Sequence, residues 1–320
     1  MGNQGLISTG GNPASPPYRN GPYNWDQHVT FTKGVNGVMN GGNVYYVDSS
    51  RSASDDGSSW TKAYITIAEA VAASLAAGGT YDTIFVKGSE ETDETTDYTE
   101  SVTITTAQTG LRIIGCGNGP EGILWTVGTA EGVILTVNAK DVYVSGFRFR
   151  PNGATSGGAI DVAVTGIGFH TENCIFRSTV ETALYGIRLN SVPDAMINDC
   201  KFTSLATAIL GTASVKTIYR AMILNNLFDD KVDDAGINIS GRACLIKGND
   251  FTSDTTLLID TYKDSAGEMN IVTGNTLMCA SAYETNCTGA ASDNWLGNFC
   301  NDTDSSMVDT SGLTIGIPTA

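Results

Sequence analysis

A segment of about eight residues recurs along this chain, and its spacing is what most limits the fold. VYVSGFRF ends at Phe149, FHTENCIF at Phe176, AMINDCKF at Phe202, AMILNNLF at Phe228, CLIKGNDF at Phe251 and NIVTGNTL at Leu277. A shorter copy, WLGNFC, ends at Cys300, and a degenerate one, LRIIGCGN, ends at Asn118. From Phe149 to Cys300 the endpoints lie 27, 26, 26, 23, 26 and 23 residues apart. Such a period is that of a solenoid, in which each unit buries its apolar face only by stacking on its neighbours.

The columns of the alignment carry the physics. Three positions before the endpoints stand Gly115, Gly146, Asn173, Asp199, Asn225, Gly248, Gly274 and Gly297. Gly, Asn and Asp are the residues that tolerate a left-handed backbone, so each coil is predicted to bend sharply there between two strands. One position later come Cys116, Phe147, Cys174, Cys200, Asn226, Asn249, Asn275 and Asn298, read as an inward stack of hydrogen-bonding asparagines continued by small buried cysteines. Before the bend, alternation places Val142 and Val144, Ala195 and Ile197, Ala221 and Ile223, and Cys244 and Ile246 inward. A second strand follows each endpoint, with Ile160, Ile187, Ile209, Ile237 and Leu258 in equivalent places. With coils about 4.8 Å apart, eight of them make a rod on the order of 35–40 Å long.

A solenoid exposes open sheet edges at its ends. At the N-terminal end the sequence offers a helix near 66–77, with Thr66 and Glu69 at capping-box spacing, Ile67, Val71 and Leu75 on one face, and Gly78 and Gly79 as a stop. The inward asparagine column resembles the asparagine ladder of pectate-lyase-like β-helices, and the helix with the following DTIFVKG and YTESVTI resembles the first coil of pectin-lyase-like proteins. The resemblance covers roughly residues 43–300 and implies an all-β fold: a right-handed, single-stranded parallel β-helix with an N-terminal capping α-helix. It says little about activity, because this superfamily holds lyases, hydrolases, esterases, adhesins and phage tailspikes.

Residues 1–42 form a separate region, an extended N-terminal arm rich in Gly and Pro, with Tyr18, Tyr23 and Trp25 as candidate contacts to a neighbouring protein. Residues 301–320 form a C-terminal tail. On the outer face, six positions before each endpoint, stand Arg112, Tyr143, His170, Met196, Met222, Leu245 and Ile271. Met196, Met222, Leu245 and Ile271 make an apolar stripe that asks for cover, by a loop or the tail, or by further subunits in a homotrimer.

Candidate chemistry is sparse. The catalytic motifs of the pectate lyases and polygalacturonases are not found. The nearest constellation is Asp229, Asp230, Asp233 and Asp234, with Asp229 and Asp233 as weak catalytic candidates for a lyase or glycoside hydrolase. That loop and the acidic run 90–100 are the two places where Ca²⁺ is considered, a solvated loop being the plainer reading of each. His170 lies beside Glu172, a base and partner without a nucleophile or metal set. Cys279 and Cys287 are close enough in sequence to raise the question of a disulfide.

The formal charge of −16, from 34 acidic and 18 basic residues, repels nucleic acid and anionic membranes, so neither is an expected partner. No membrane-length apolar stretch and no secretion-signal pattern are seen, and seven cysteines, an odd number, fit buried thiols in a reducing compartment. The resulting expectation is a non-enzymatic structural protein of a tailed-phage virion, a head-decoration or tail-associated β-helix assembled in the host cytoplasm. The alternatives are a tailspike depolymerase that cleaves a host surface polysaccharide, and an adhesin that binds host surface glycans without cleavage.

Overall fold

The structure is a computed structural model that describes residues 42–88, 98–117, 122–129, 132–152, 157–178, 185–211, 218–229, 232–252, 257–261, 268–278 and 286–300. Within these the chain winds as a parallel β-solenoid. Each coil visits three sheets in the same order, and each strand pairs in parallel with its counterpart in the coils before and after. The first sheet runs from Val44–Asp48 and Thr83–Lys87 to Asn294–Leu296, the second from Tyr98–Thr99 to Phe299–Cys300, and the third from Val102–Ile104 to Cys287–Thr288. Among the described residues the sheets hold ten, nine and eight strands. No described helix is long and apolar enough to cross a membrane.

The bends expected from sequence are present. Gly146, Asn173, Asp199, Asn225, Gly248, Gly274 and Gly297 all have positive φ, between 49° and 78°. Gly115 is a glycine for a different reason: a Cβ there would lie 2.3 Å from the Gly146 carbonyl oxygen of the next coil. A second left-handed bend, not foreseen, recurs two residues before eight of the ten strands of the first sheet. It falls on Tyr81, Gly110, Asp141, Gly168, Asp194, Arg220, Ala243 and Met269, with φ of 51° to 74°.

Inside the first bend lies a complete amide ladder. Asn226, Asn249 and Asn275 each donate from Nδ2 to the Oδ1 of the asparagine in the following coil, at 3.0, 3.0 and 2.8 Å. The same Oδ1 atoms accept the backbone N–H of the preceding rung, at 2.9 to 3.1 Å. Each Nδ2 also reaches a carbonyl of the preceding coil, from Ile197 for Asn226 to Val272 for Asn298. These asparagines are 1% exposed, yet each buried amide is satisfied, which is the condition for burying it at all.

Next to the ladder the endpoint residues form an aromatic column. Phe149, Phe176, Phe202, Phe228 and Phe251 stack with ring centroids 5.2, 4.8, 5.1 and 4.3 Å apart, and Leu277 follows them in register. Parallel pairing in register makes this arrangement unavoidable: one phenylalanine per coil at a fixed position becomes a row spaced by the interstrand distance. All the residues expected inward on the first sheet, from Val142 to Ile246, are buried. The third sheet requires one correction. The row Ile160, Ile187, Ile209, Ile237 is completed by Ile259, not Leu258. Both residues are apolar and buried, so alternation alone could not fix the register after a connection of altered length.

The helix, Ile67–Ala76, has its capping box: the Thr66 hydroxyl accepts the Glu69 N–H at 3.1 Å, and the Glu69 carboxylate accepts the Thr66 N–H at 3.2 Å. Glu100, from the second-sheet side of the next coil, accepts the Ile67 and Ala68 N–H groups at 2.8 and 2.9 Å, closing two more of the helix's free donors. The buried face is Ile67, Ala70, Val71 and Ser74; Leu75 is 41% exposed rather than buried. At 100° per residue, position 75 falls on the flank of a face centred near positions 67 and 74, which corrects the expectation for Leu75.

Candidate functional site: the outer face of the first sheet

The outward positions of the first sheet form two rows, because side chains alternate across a strand and coils pair in register. The first row runs Arg112, Tyr143, His170, Met196, Met222, Leu245, Ile271 and Asn294. The second, two residues later in each strand, includes Ser145, Glu172, Asn198, Leu224, Lys247, Thr273 and Leu296. The face therefore has a polar and an apolar half.

In the polar half four side chains meet. The Tyr143 phenol donates to the Glu172 carboxylate. His170 Nε2 lies 3.4 Å from the other Glu172 oxygen, and the imidazole meets the Tyr143 ring edge-on with centroids 5.0 Å apart. On the far side the Arg112 guanidinium sits 5.2 Å from the Tyr143 ring centroid, a cation–π contact. Burial holds His170 below the usual imidazole range, although Glu172 pulls the other way. Burial, reinforced by the bond to Glu172, pushes the Tyr143 phenol up. At neutral pH the set is thus a neutral imidazole and a neutral phenol beside a carboxylate. It offers hydrogen-bond donors, an acceptor and an aromatic face to a polar ligand, while a Tyr143 phenolate is disfavoured there. Sequence reasoning placed Arg112, Tyr143 and His170 in one row and His170 beside Glu172. It missed that the phenol joins them, because Glu172 belongs to the second row.

The apolar half is the stripe expected from sequence. Met196, Met222 and Leu245 are half-buried, Ile271 is 46% exposed, and Leu224 and Leu296 (51% exposed) widen it from the second row. Toward the same end of the solenoid Met269, Met278 and Phe299 are also exposed.

Asp229 is bound by Lys201 Nζ at 2.9 Å, and Asp233 lies exposed on the strand Val232–Asn238. Asp230 falls outside the described residues, as do Tyr18, Tyr23 and Trp25 of the arm, the tail, and most of the acidic run 90–100. Of that run Glu100 is described, and it caps the helix. Among the described residues no group of three or more His, Cys, Asp or Glu is placed to hold a metal ion. Cys287 is buried, and Cys279 lies outside the described residues. A separate polar cluster sits on the third sheet, where Arg188 binds Asp161 through two bonds and covers the Tyr185 ring at 4.6 Å.

No known family profile matches the sequence, and no curated protein matches it. Solved structures do resemble the fold. An alginate lyase from Paenibacillus sp. str. FPU-7 is similar at 13% identity, over 73% of this chain and 93% of that one, with a TM-score of 0.52. A pectin methylesterase from Aspergillus niger is similar at 14% identity, over 82% and 87%, with a TM-score of 0.50. PfbA, a surface adhesin of Streptococcus pneumoniae, is similar at 14% identity, over 74% of each chain, with a TM-score of 0.49. At these identities the likeness is one of fold alone, a parallel β-helix.

Proposed function

We propose that the chain is a structural, non-enzymatic component of a tailed-phage virion, a head-decoration or tail-associated β-helix that assembles as a homotrimer through the outer face of its first sheet. The apolar half of that face carries the reading. Met196, Met222, Leu245 and Ile271 stand in register, and leaving such a row in water costs about 25 cal/mol per Å² of apolar surface. A flat row of this kind is covered best by another flat face, and around a threefold axis one row serves all three subunits. The arm with Tyr18, Tyr23 and Trp25 then supplies the contact to other virion proteins.

Replacing Met222 with Glu tests the interface. The mass in solution is expected to fall from trimer to monomer while the solenoid stays folded, since the side chain is only half-buried in one subunit. A Met222→Glu protein that remains trimeric, or a wild-type protein that is monomeric, would sink the proposal.

The polar half favours a second reading, glycan recognition. An aromatic ring, a guanidinium and a carboxylate in contact are the groups that sugar hydroxyls meet in binding sites. On this reading an array of surface polysaccharides shows binding that Arg112→Ala weakens at least tenfold. Binding without shortening of the glycan marks an adhesin, whereas shortening abolished by Asp229→Asn or Asp233→Asn marks a depolymerase.

A further inference from the structure

The inward row that forms the amide ladder changes chemistry partway along. It is asparagine from Asn226 to Asn298 and thiol at Cys200 and Cys174, one coil and two coils before. The sulfurs take over the ladder's bonding. The Cys200 N–H donates to Asn226 Oδ1 at 2.9 Å, and in the same manner the Cys174 N–H donates to the Cys200 sulfur. The Cys174 sulfur in turn accepts the N–H groups of Phe147 and Gly146 and, at 3.6 Å, the Thr171 hydroxyl. The Cys200 thiol donates to the Asn198 carbonyl at 3.3 Å and the Cys174 thiol, one coil before, to the Glu172 carbonyl at 3.4 Å.

The backbones set the two side chains next to each other in successive coils. The residues that follow them, Ile175 and Lys201, are register partners in the second sheet. The two cysteines are therefore separated by one coil spacing of about 4.8 Å, within the Cα separation of about 4.4–6.8 Å that a disulfide spans. Both thiols are at most 2% exposed, but they do not lie deep. A groove of about 340 Å³ opens over them at the bend, lined by Asn173, Cys174, Asp199, Cys200, Lys201 and Asn225. Hydrogen bonding holds Cys174 below the usual thiol range in spite of its burial, whereas burial and its neighbour push Cys200 up. The Thr171 hydroxyl, 3.6 Å from the Cys174 sulfur, favours a thiolate there and makes Cys174 the attacking member of the pair.

We propose that Cys174 and Cys200 are an oxidative modification site that closes to a cross-coil disulfide when the groove admits a small disulfide oxidant. The Cys174 thiolate attacks one sulfur of the oxidant, whose S–S bond breaks and whose departing thiolate takes up the Cys174 proton. Cys200 then loses its proton and attacks the Cys174 sulfur, and the second oxidant-derived thiolate leaves with that proton. Two protein thiols are oxidised by two electrons, and one disulfide reagent is reduced to two thiols. The bond would staple two successive coils where the amide ladder ends.

The test uses the full chain, native and without denaturant, with bis(2-hydroxyethyl) disulfide as the probe. After quenching, unfolding and alkylation, peptide mapping is expected to find Cys174 linked to Cys200, with both escaping the alkylating reagent and with reversal by a thiol reductant. In Cys200→Ser, which keeps a hydrogen-bonding group in the ladder, the reaction is expected to stop with one hydroxyethylthio group on Cys174. Recovery of both wild-type residues as alkylated thiols, or pairing of either with Cys116, Cys244 or Cys287, overturns the proposal. So does a Cys200→Ser protein whose Cys174 stays unmodified.

Discussion

Asn249→Ala is expected to lower the unfolding free energy by about 4 kcal/mol, more than any surface change in this chain. The asparagine makes four side-chain hydrogen bonds: its Oδ1 accepts the N–H and the Nδ2 of Asn226, and its Nδ2 donates to Ile223 O and Asn275 Oδ1. Truncation leaves two N–H donors of Asn226 in a site that is 1% exposed, each costing about 1–3 kcal/mol when unmet. Guanidinium titration of the variant against wild type gives the difference. A loss under about 1 kcal/mol would mean that water enters the ladder and replaces the amide.

Phe202→Ala should cost a similar amount, roughly 4 kcal/mol, by a different route. Phe202 is fully buried between Phe176 and Phe228, with ring planes within 8° and 9° of parallel. Alanine there opens a cavity that the stacked neighbours cannot close, because each is held in its own coil by sheet pairing, and two ring contacts are lost with it. Phe202→Leu fills most of the space, as Leu277 does in its own coil, and should lose only about 1–2 kcal/mol. Equal losses for the two variants in the same titration would show that the cavity is not what the alanine costs.

The two predictions rest on columns that were legible in the sequence, and the reason is chemical restriction. A left-handed bend with a buried amide beside it tolerates few residue types, so Asn173, Asp199 and Asn225 betray the bend, and Asn226 and Asn249 the ladder. The second bend admits no such reading. Tyr81, Arg220, Ala243 and Met269 have no preference for positive φ, and a left-handed conformation costs such residues about 1–2 kcal/mol. Cross-coil bonding imposes it: Tyr81 N–H donates to Thr109 O, Arg220 to Arg242 O and Ala243 to Glu268 O, at 2.8, 3.0 and 3.1 Å. That force lies in the neighbouring coil, beyond what a local residue pattern reports.

The outer face divides the same way. Its apolar row was legible because Met196, Met222, Leu245 and Ile271 repeat at one position of the period. The Arg112, Tyr143, His170 and Glu172 cluster was only half legible, since its contacts run diagonally between two rows and four dissimilar residues make no column. Leu258 and Ile259 show a third kind of limit. When two adjacent residues are both apolar, the row joined by Ile259 is decided by pairing alone.

The side-chain amides also give the rod a direction. From Asn226 to Asn275 one hydrogen of each Nδ2 points to the next coil, so these amide dipoles add head to tail along the axis, with their positive end toward Asn298. A shorter row at the other bend has the same polarity: the Cys244 N–H donates to Asn270 Oδ1, and Asn270 Nδ2 to Asp293 Oδ1. Asp293 is 2% exposed and also accepts the Asn270 and Ala290 N–H groups and the Thr261 hydroxyl. A carboxylate has no proton to pass onward and would break such a row in its middle. At the receiving end it needs none, and there its negative charge faces the positive pole of the amide that donates to it. The placement of one aspartate thus marks which way a row of amides runs.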